Sequence, residues 1–382
     1  MAQSGTVSAP RQMNSGGSGE VGTAKRRGAR VGLFRPISLG QIALWELAVL
    51  AVAATIYPLR TTGFVVLGVA AFVMLCSSVR LSGLCVYQWV DVYRKFRSRR
   101  SRAQVRAADP ISAVLPEVRL TRHVDRAGNR AGVAEQGDSW IAVVRLGSTT
   151  ILDSRPLLSI LRATYARDDI RLSAAGLVTW SVPSPPRARY YGDYRDTQPM
   201  RIHWLAVRYR PVEAPLAAEA RGGGSDGAAR TVASAAMGLV GKLAAAGFEA
   251  KVLDEPELRQ DLLVALGAGN SGADARIRET WHDWSIGTLR QRCFTPKDRG
   301  GELDALGRWA DQAAFTCTSH TLTRDNRERV TGATRVRIGI HPTELQLDDK
   351  RVAKALGLRL VTSNGRQDAE VRHTLPLAMP SR

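Results

Sequence analysis

The sequence predicts a membrane-anchored α/β (or α+β) fold, a two-helix transmembrane hairpin followed by a mixed-sheet cytoplasmic domain, and three observations predict it. Residues 61–79 carry no charged side chain, and residues 42–59 form a second apolar run broken only by Glu46. Basic residues crowd both flanks of this pair. Beyond residue 107, helical and strand-like patterns alternate over about 275 residues, enough for one large domain or two modest ones with a real core.

The first element is an arm, residues 1–36, rich in Gly, Ser, Ala and basic side chains with almost nothing large and apolar before Val31. Such a segment buries too little surface to offset its ordering entropy, so it reads as a disordered basic cytoplasmic arm. Residues 37–106 follow as hairpin and basic exit helix. At about 1.5 Å per residue, a run of this length crosses a hydrocarbon core of roughly 30 Å. Glu46 at the bilayer centre would cost about 3 kcal/mol, which places it near the cytoplasmic interface. Pro58 and residues 59–62 supply the turn.

Charge sets the orientation. Residues 1–40 carry a net +5 and residues 80–106 a net +7, together +12 of the formal +19. By the positive-inside rule both ends face the cytoplasm, giving a two-pass membrane protein. Ala51 and Ala53 form a small-x-small motif, but a leading region of about forty residues and a second apolar run directly after it do not suit a cleaved signal. Ala48, Ala51 and Ala54, with Gly63, Gly68 and Ala71, allow close helix approach.

After the second run, Trp89, Tyr93 and Phe96 interleave with Arg94, Lys95 and Arg97. Aromatic rings beside a basic cluster suit anionic lipid headgroups, and a solvated charged helix is the alternative; both continue the helix out of the bilayer. The candidate membrane or assembly contacts are Glu46, Arg80, Trp89, Arg94 and Lys95. An acid inside a span calls for a cationic partner, either Arg80 or a cation on another subunit.

The third region, residues 107–382, is the cytoplasmic domain. Strands are predicted over 140–146, 177–182, 202–209, 248–253, 285–294, 314–323 and 334–340 from β-branched and alternating patterns. Helices are predicted over 156–167, opened by Pro156, over 228–246, stopped by Gly247, over 255–266 and over 348–356. Residues 219–227 (EARGGGSDG) read as a flexible Gly-rich linker. No internal repeat of fixed period is visible. Four cysteines, Cys76, Cys85, Cys293 and Cys317, have no paired spacing, which disfavours a disulfide framework or thiolate metal site and agrees with a reducing compartment.

The motifs of common chemistries are missing. Gly241 and Lys242 make a Gly-Lys pair, but Ala236 stands at the first glycine of a phosphate loop and Leu243 at its Ser or Thr. No G-x-G-x-x-G follows directly on a strand, no G-x-S-x-G sits at a strand-to-helix elbow, no D-x-D sequence occurs anywhere, and the six histidines show no i,i+4 pairing. No catalytic, cofactor-binding or metal residue is assigned. Asp168 and Asp169, like Asp348 and Asp349, read as helix-start or turn acids. Trp281 and Trp284 read as one packed face of a short element. Arg187, Arg189, Tyr190, Tyr191 and Tyr194 sit in a Pro-rich loop, and the domain's modest charge argues against nucleic acid.

The order of features resembles the EccE family of actinobacterial type VII (ESX) secretion systems. The residues carrying the resemblance are the two apolar runs, the strand over 202–207, the helix over 228–246 running into GFEAKVL (247–253), and RETW (278–281) before an apolar strand. The resemblance covers most of the chain from about residue 37, and the Gly-rich segment near 222 departs from it as an insertion. It implies a non-enzymatic inner-membrane subunit that assembles with the ATPase and multi-span subunits, with no cofactor and no nucleic acid. It also implies a cytoplasmic domain similar in outline to a degenerate glycosyltransferase-like fold. A membrane-anchored transferase with an unrecognised active site is the alternative.

Overall fold

The computed structural model describes residues 46, 68, 80–81, 84–102, 109–125, 127–147, 154–166, 170–182, 200–269, 276–297, 313–340 and 359–380. The chain divides into two units, Met1–Ser78 and Val79–Arg382. In the first, Glu46 and Gly68 are helical and exposed; the rest of the two apolar runs lies outside the described residues, as do the loop over 183–199 and the helix expected over 348–356.

The second unit opens with a two-residue ladder, β1 (Arg80–Leu81) on β2 (Leu84–Cys85), and then α1 (Val86–Arg102). Next come α2 (Pro110–Val114), β3 (Val118–Val124), β4 (Arg130–Gln136), β5 (Ser139–Leu146), α3 (Arg155–Tyr165), β6 (Ala174–Val182) and β7 (Met200–Tyr209). They are followed by α4 (Pro215–Glu219), α5 (Gly224–Ala245), β8 (Ala250–Val252) and α6 (Glu255–Leu266). The chain continues through β9 (Ile277–Glu279), β10 (Trp284–Ile286), β11 (Leu289–Pro296), β12 (Phe315–Arg324) and β13 (Val330–Ile340), then β14 (Leu360–Thr362) and α7 (Gln367–His373).

Strands β3 to β14 form one sheet of twelve, in the order β3-β4-β5-β7-β6-β12-β13-β11-β10-β9, with β8 also on β5 and β14 also on β11. Every pairing in it is antiparallel. This corrects the expected fold class. The mixed α/β sheet with a transmembrane hairpin is replaced by a large antiparallel-sheet domain. Among the described residues no helix is long and apolar enough to cross a membrane, and no hairpin of spans is shown. Strand–helix alternation had suggested parallel crossovers. Here α3 leads from β5 to β6, two places along the sheet, and β7 then returns between them, so each neighbour runs the opposite way. The exit helix is likewise not continuous from residue 80, because the β1–β2 ladder precedes Val86.

Helices cover both faces. On one, Ile111 and Val114 of α2, Leu258 and Leu262 of α6 and Val371 of α7 pack with Ile141, Val143, Trp204 and Ala206. On the other, Leu157 and Leu161 of α3 and Val232, Ala236 and Leu239 of α5 pack with Ala142, Val144, Leu205 and Val207. Alternate residues of β5 and β7 thus point to opposite cores, the period of two that a doubly covered sheet requires. Helix α6 is punctuated by a reciprocal cap, Asp254 taking the Glu257 amide and Glu257 the Asp254 amide. Helix α5 ends where Gly247 (φ 83°) donates to Ala244 and Phe248 to Leu243, a left-handed stop that needs no Cβ. The Gly-rich stretch over 219–227 spans the end of α4, a turn with positive φ at Gly222 and Gly223, and the first residues of α5.

Candidate assembly interface

Helix α1 carries the basic and aromatic residues singled out above. Trp89, Val92, Phe96 and Arg99 recur at three- and four-residue spacing, which puts them on one face; Val92 and Phe96 are buried, Trp89 and Arg99 half-buried. Trp281 receives that face. Its ring centroid lies 5.9 Å from Trp89, 6.1 Å from Tyr93 and 5.3 Å from Phe96, the last edge-on at 83°. Such tilted and edge-to-face contacts place positive ring edges on negative faces.

Trp281 is held out by a braced turn. The Thr280 amide donates to the Asp283 carbonyl at 2.7 Å, and the Asp283 amide donates back to Thr280 Oγ1 at 2.9 Å. Arg290 and Arg292 donate to the two Asp283 carboxylate oxygens at 2.5 and 2.7 Å. The Gly365 amide donates to the Trp281 carbonyl at 2.7 Å, and a Cβ at Gly365 would meet Trp281 at 2.5 Å and Val92 at 2.9 Å. Only glycine lets the helix and the indole close on this turn.

The second half of the clamp is ionic. Arg99 Nε donates to Glu279 Oε2 at 3.0 Å, while its Nη2 donates to Oε1 at 3.3 Å and to the Gly365 carbonyl at 2.7 Å. The Glu279 side chain is 3% exposed and accepts a further bond from the Asp368 amide at 3.1 Å. Burying a carboxylate this far from water calls for such hydrogen-bonding partners.

The outward flank of α1 presents Val90, Tyr93, Arg94, Lys95 and Arg97. Val90 is 55% and Tyr93 51% exposed, and Lys95 pairs with Asp91 one turn away at 2.7 Å. The structure therefore brings Trp89, Arg94 and Lys95 onto one helix, with Trp89 facing the domain and the two cations facing solvent. Arg80 heads the β1–β2 ladder, and Glu46 belongs to the first unit. Sequence reasoning missed Arg99, Glu279 and Gly365. Trp281 and Trp284 do not share a face: Trp281 meets α1, whereas Trp284 is fully buried in the core beneath.

Open grooves lie elsewhere among the described residues. One, of about 850 Å³, runs between the β3–β4 hairpin and α5, lined by His123, Asp125, Arg221, Arg230 and Met237. The other, about 490 Å³, is lined by Arg145, Arg201, Glu249 and Lys251. On its wall Arg145 donates to Asp261 at 2.9 Å and Trp204 Nε1 donates to the same carboxylate at 2.8 Å. Burial pushes the Asp261 carboxyl above the ordinary range, against both donors. Among the described residues no group of His, Cys, Asp and Glu could hold a metal.

Cys293 and Cys317 are buried free thiols, both pushed up by desolvation and so poor nucleophiles. Between them lies Arg337, fully buried, donating to Gln291 Oε1 at 2.8 Å and to the Ala265 carbonyl, with its guanidinium 5.3 Å from the Phe315 ring centre. Its charge is answered by the carbonyl end of α6, where the helix dipole is negative.

Residues 198–295 match a protein-family model described as "EccE: Putative type VII ESX secretion system translocon, EccE". The matched stretch contains Glu279 and Trp281, two of the residues that receive α1. None of the curated proteins compared with the chain matches it.

Proposed function

We propose, from the EccE match over residues 198–295, that the chain is a non-enzymatic subunit of a type VII (ESX) secretion assembly at the inner membrane. The antiparallel-sheet domain acts as a rigid body, and α1 is the element through which the segment before it addresses that body. The observation that carries this reading is the clamp itself: the family-matched stretch supplies Trp281 and Glu279, and they fix a helix whose other flank is basic and partly apolar. The exposed Arg94, Lys95 and Arg97 with Val90 and Tyr93 offer cations and apolar contact to neighbouring subunits, the ATPase and multi-span components among them, and to anionic headgroups.

The test is recovery of the complex. With an affinity tag at the C-terminus and mild detergent, the full chain is expected to co-purify with the other secretion subunits in one large particle on a native gel. Replacing Arg94, Lys95 and Arg97 together by Ser should release it without unfolding the domain. Migration of the tagged wild-type chain as a monomer or small oligomer would overturn the reading.

A further inference from the structure

The order of the sheet reads the same from both edges. β3-β4-β5 and β9-β10-β11 are antiparallel meanders, each leading inward from one edge. Each is followed along the chain by two strands laid down in inverted order, β7 then β6 beside β5, and β13 then β12 beside β11. A three-residue strand is then added to the third strand of each meander, β8 on β5 and β14 on β11. After it comes a helix on the same face, α6 or α7.

The registers agree residue by residue. Setting 139–146 on 289–296, Leu146 opposite Ala250 corresponds to Pro296 opposite Leu360, and Trp140 opposite Tyr209 to Arg290 opposite Ile340. Ala175 opposite Val207 corresponds to Thr316 opposite Ile338, and Gln136 opposite Ser139 to Ile286 opposite Leu289. In the central β6–β12 ladder Val178 faces Ser319, its own counterpart, so a two-fold axis passes between them.

Chemistry follows the same alignment. Thr179 Oγ1 meets His203 Nδ1 at 2.9 Å between β6 and β7; at the corresponding positions of β12 and β13 the pair is exchanged, His320 Nδ1 meeting Thr334 Oγ1 at 3.0 Å. Trp204 on β7 donates to Asp261 on α6, and at its counterpart on β13 Arg335 donates to Glu370 on α7 at 2.5 Å.

We infer that residues 118–266 and 277–373 are two copies of one folding unit, fused in tandem and paired across β6 and β12 as the two protomers of a two-fold dimer would pair. The copies diverge at one place that matters. The first keeps a hairpin of seven-residue strands, β3 and β4, whereas the second has three-residue β9 and β10, and the tip of the shortened hairpin carries Trp281. The seat of α1 is thus built on the second copy alone.

Exchange of equivalent residues in the full chain tests this. Thr179→His and His203→Thr singly break a cross-strand hydrogen bond and should each lower Tm by about 2–4 °C, the scale of one bond in a domain this size. Combined, they recreate in the first copy what the second already has, and Tm should recover most of the loss. His320→Thr with Thr334→His should behave alike. Failure of either combined variant to recover, including failure to fold where its single variants fold, overturns the equivalence. Should no variant fold, an experimental structure of the wild-type chain decides. A half-turn about the axis between Val178 and Ser319 must superpose the two sets of strands to within about half the ~4.8 Å strand spacing, and an offset of a whole strand rejects the inference.

Discussion

Arg99 and Glu279, 180 positions apart in the chain, meet through two hydrogen bonds of 3.0 and 3.3 Å, and the acid's side chain is almost sealed from water. Removing the cation leaves Glu279 with the Asp368 amide and little else. Arg99 is itself about a third exposed, which moderates the loss, so Arg99→Ala is expected to weaken α1 docking by about 2 kcal/mol. Hydrogen exchange checks this: amides of α1 should exchange roughly thirtyfold faster while those of β5 and β7 are unchanged.

Trp281 is the apolar half of the same clamp. Trp281→Ala strips three aromatic partners at once and should cost about 2–3 kcal/mol, near the lower end for a large aromatic because the indole is only half-buried. Limited proteolysis should then cut within α1 well before the sheet. Combined with Arg99→Ala, the effects should be non-additive, since either change alone frees the helix.

Gly132 on β4 is the point where the sheet touches the start of α6. A Cβ there would lie 2.6 Å from the Asp254 carbonyl oxygen and 2.8 Å from the Glu255 nitrogen, both backbone atoms that cannot swing aside. Gly132→Ala should therefore lower stability by about 2–3 kcal/mol, visible as a lower urea midpoint at unchanged slope.

Acid sensitivity should centre on His320. Burial, aided by Arg162, pushes its pKa down to about 4 from 6.5, so the folded chain keeps it neutral while the unfolded chain takes up a proton. Its contribution is whole above pH 6.5 and is lost as pH falls from there towards 4, on the order of 2–3 kcal/mol in all. His373, also lowered by burial, adds in the same direction. Urea midpoints at pH 7.0 and 4.5 should converge in His320→Asn relative to the wild type.

What the sequence made legible follows from local punctuation. Helix α6 was readable to the residue because Pro256 opens it and Gly267 closes it, and β5, β7 and β12 because β-branched and apolar residues run through them. The edge strand β3 was not, since Arg119, Thr121, Arg122 and His123 make its sequence polar enough to mimic a loop. The single strand expected over 285–294 runs through the turn at Gly287 that separates β10 from β11. Strand direction could not be read at all, because α3 and α5 are long enough for a parallel crossover and are used instead to skip a place. The tandem repeat is hidden in the sequence because its counterparts differ in kind, Trp204 for Arg335 and Gly176 for Cys317, so that what they share is place in the sheet and bonding partner and not residue type. The α1 seat was invisible for a plainer reason: no pattern links Arg99 to an acid so distant in sequence.

One consequence of the α1 clamp concerns mechanical load. Helix α1 precedes β3 in the chain, yet it is fastened beside β9, at the opposite margin of the sheet. Traction on the polypeptide ahead of Val86 thus enters the domain through its C-terminal portion, and β3, although next in sequence among the strands of the sheet, is the last of them to feel the strain.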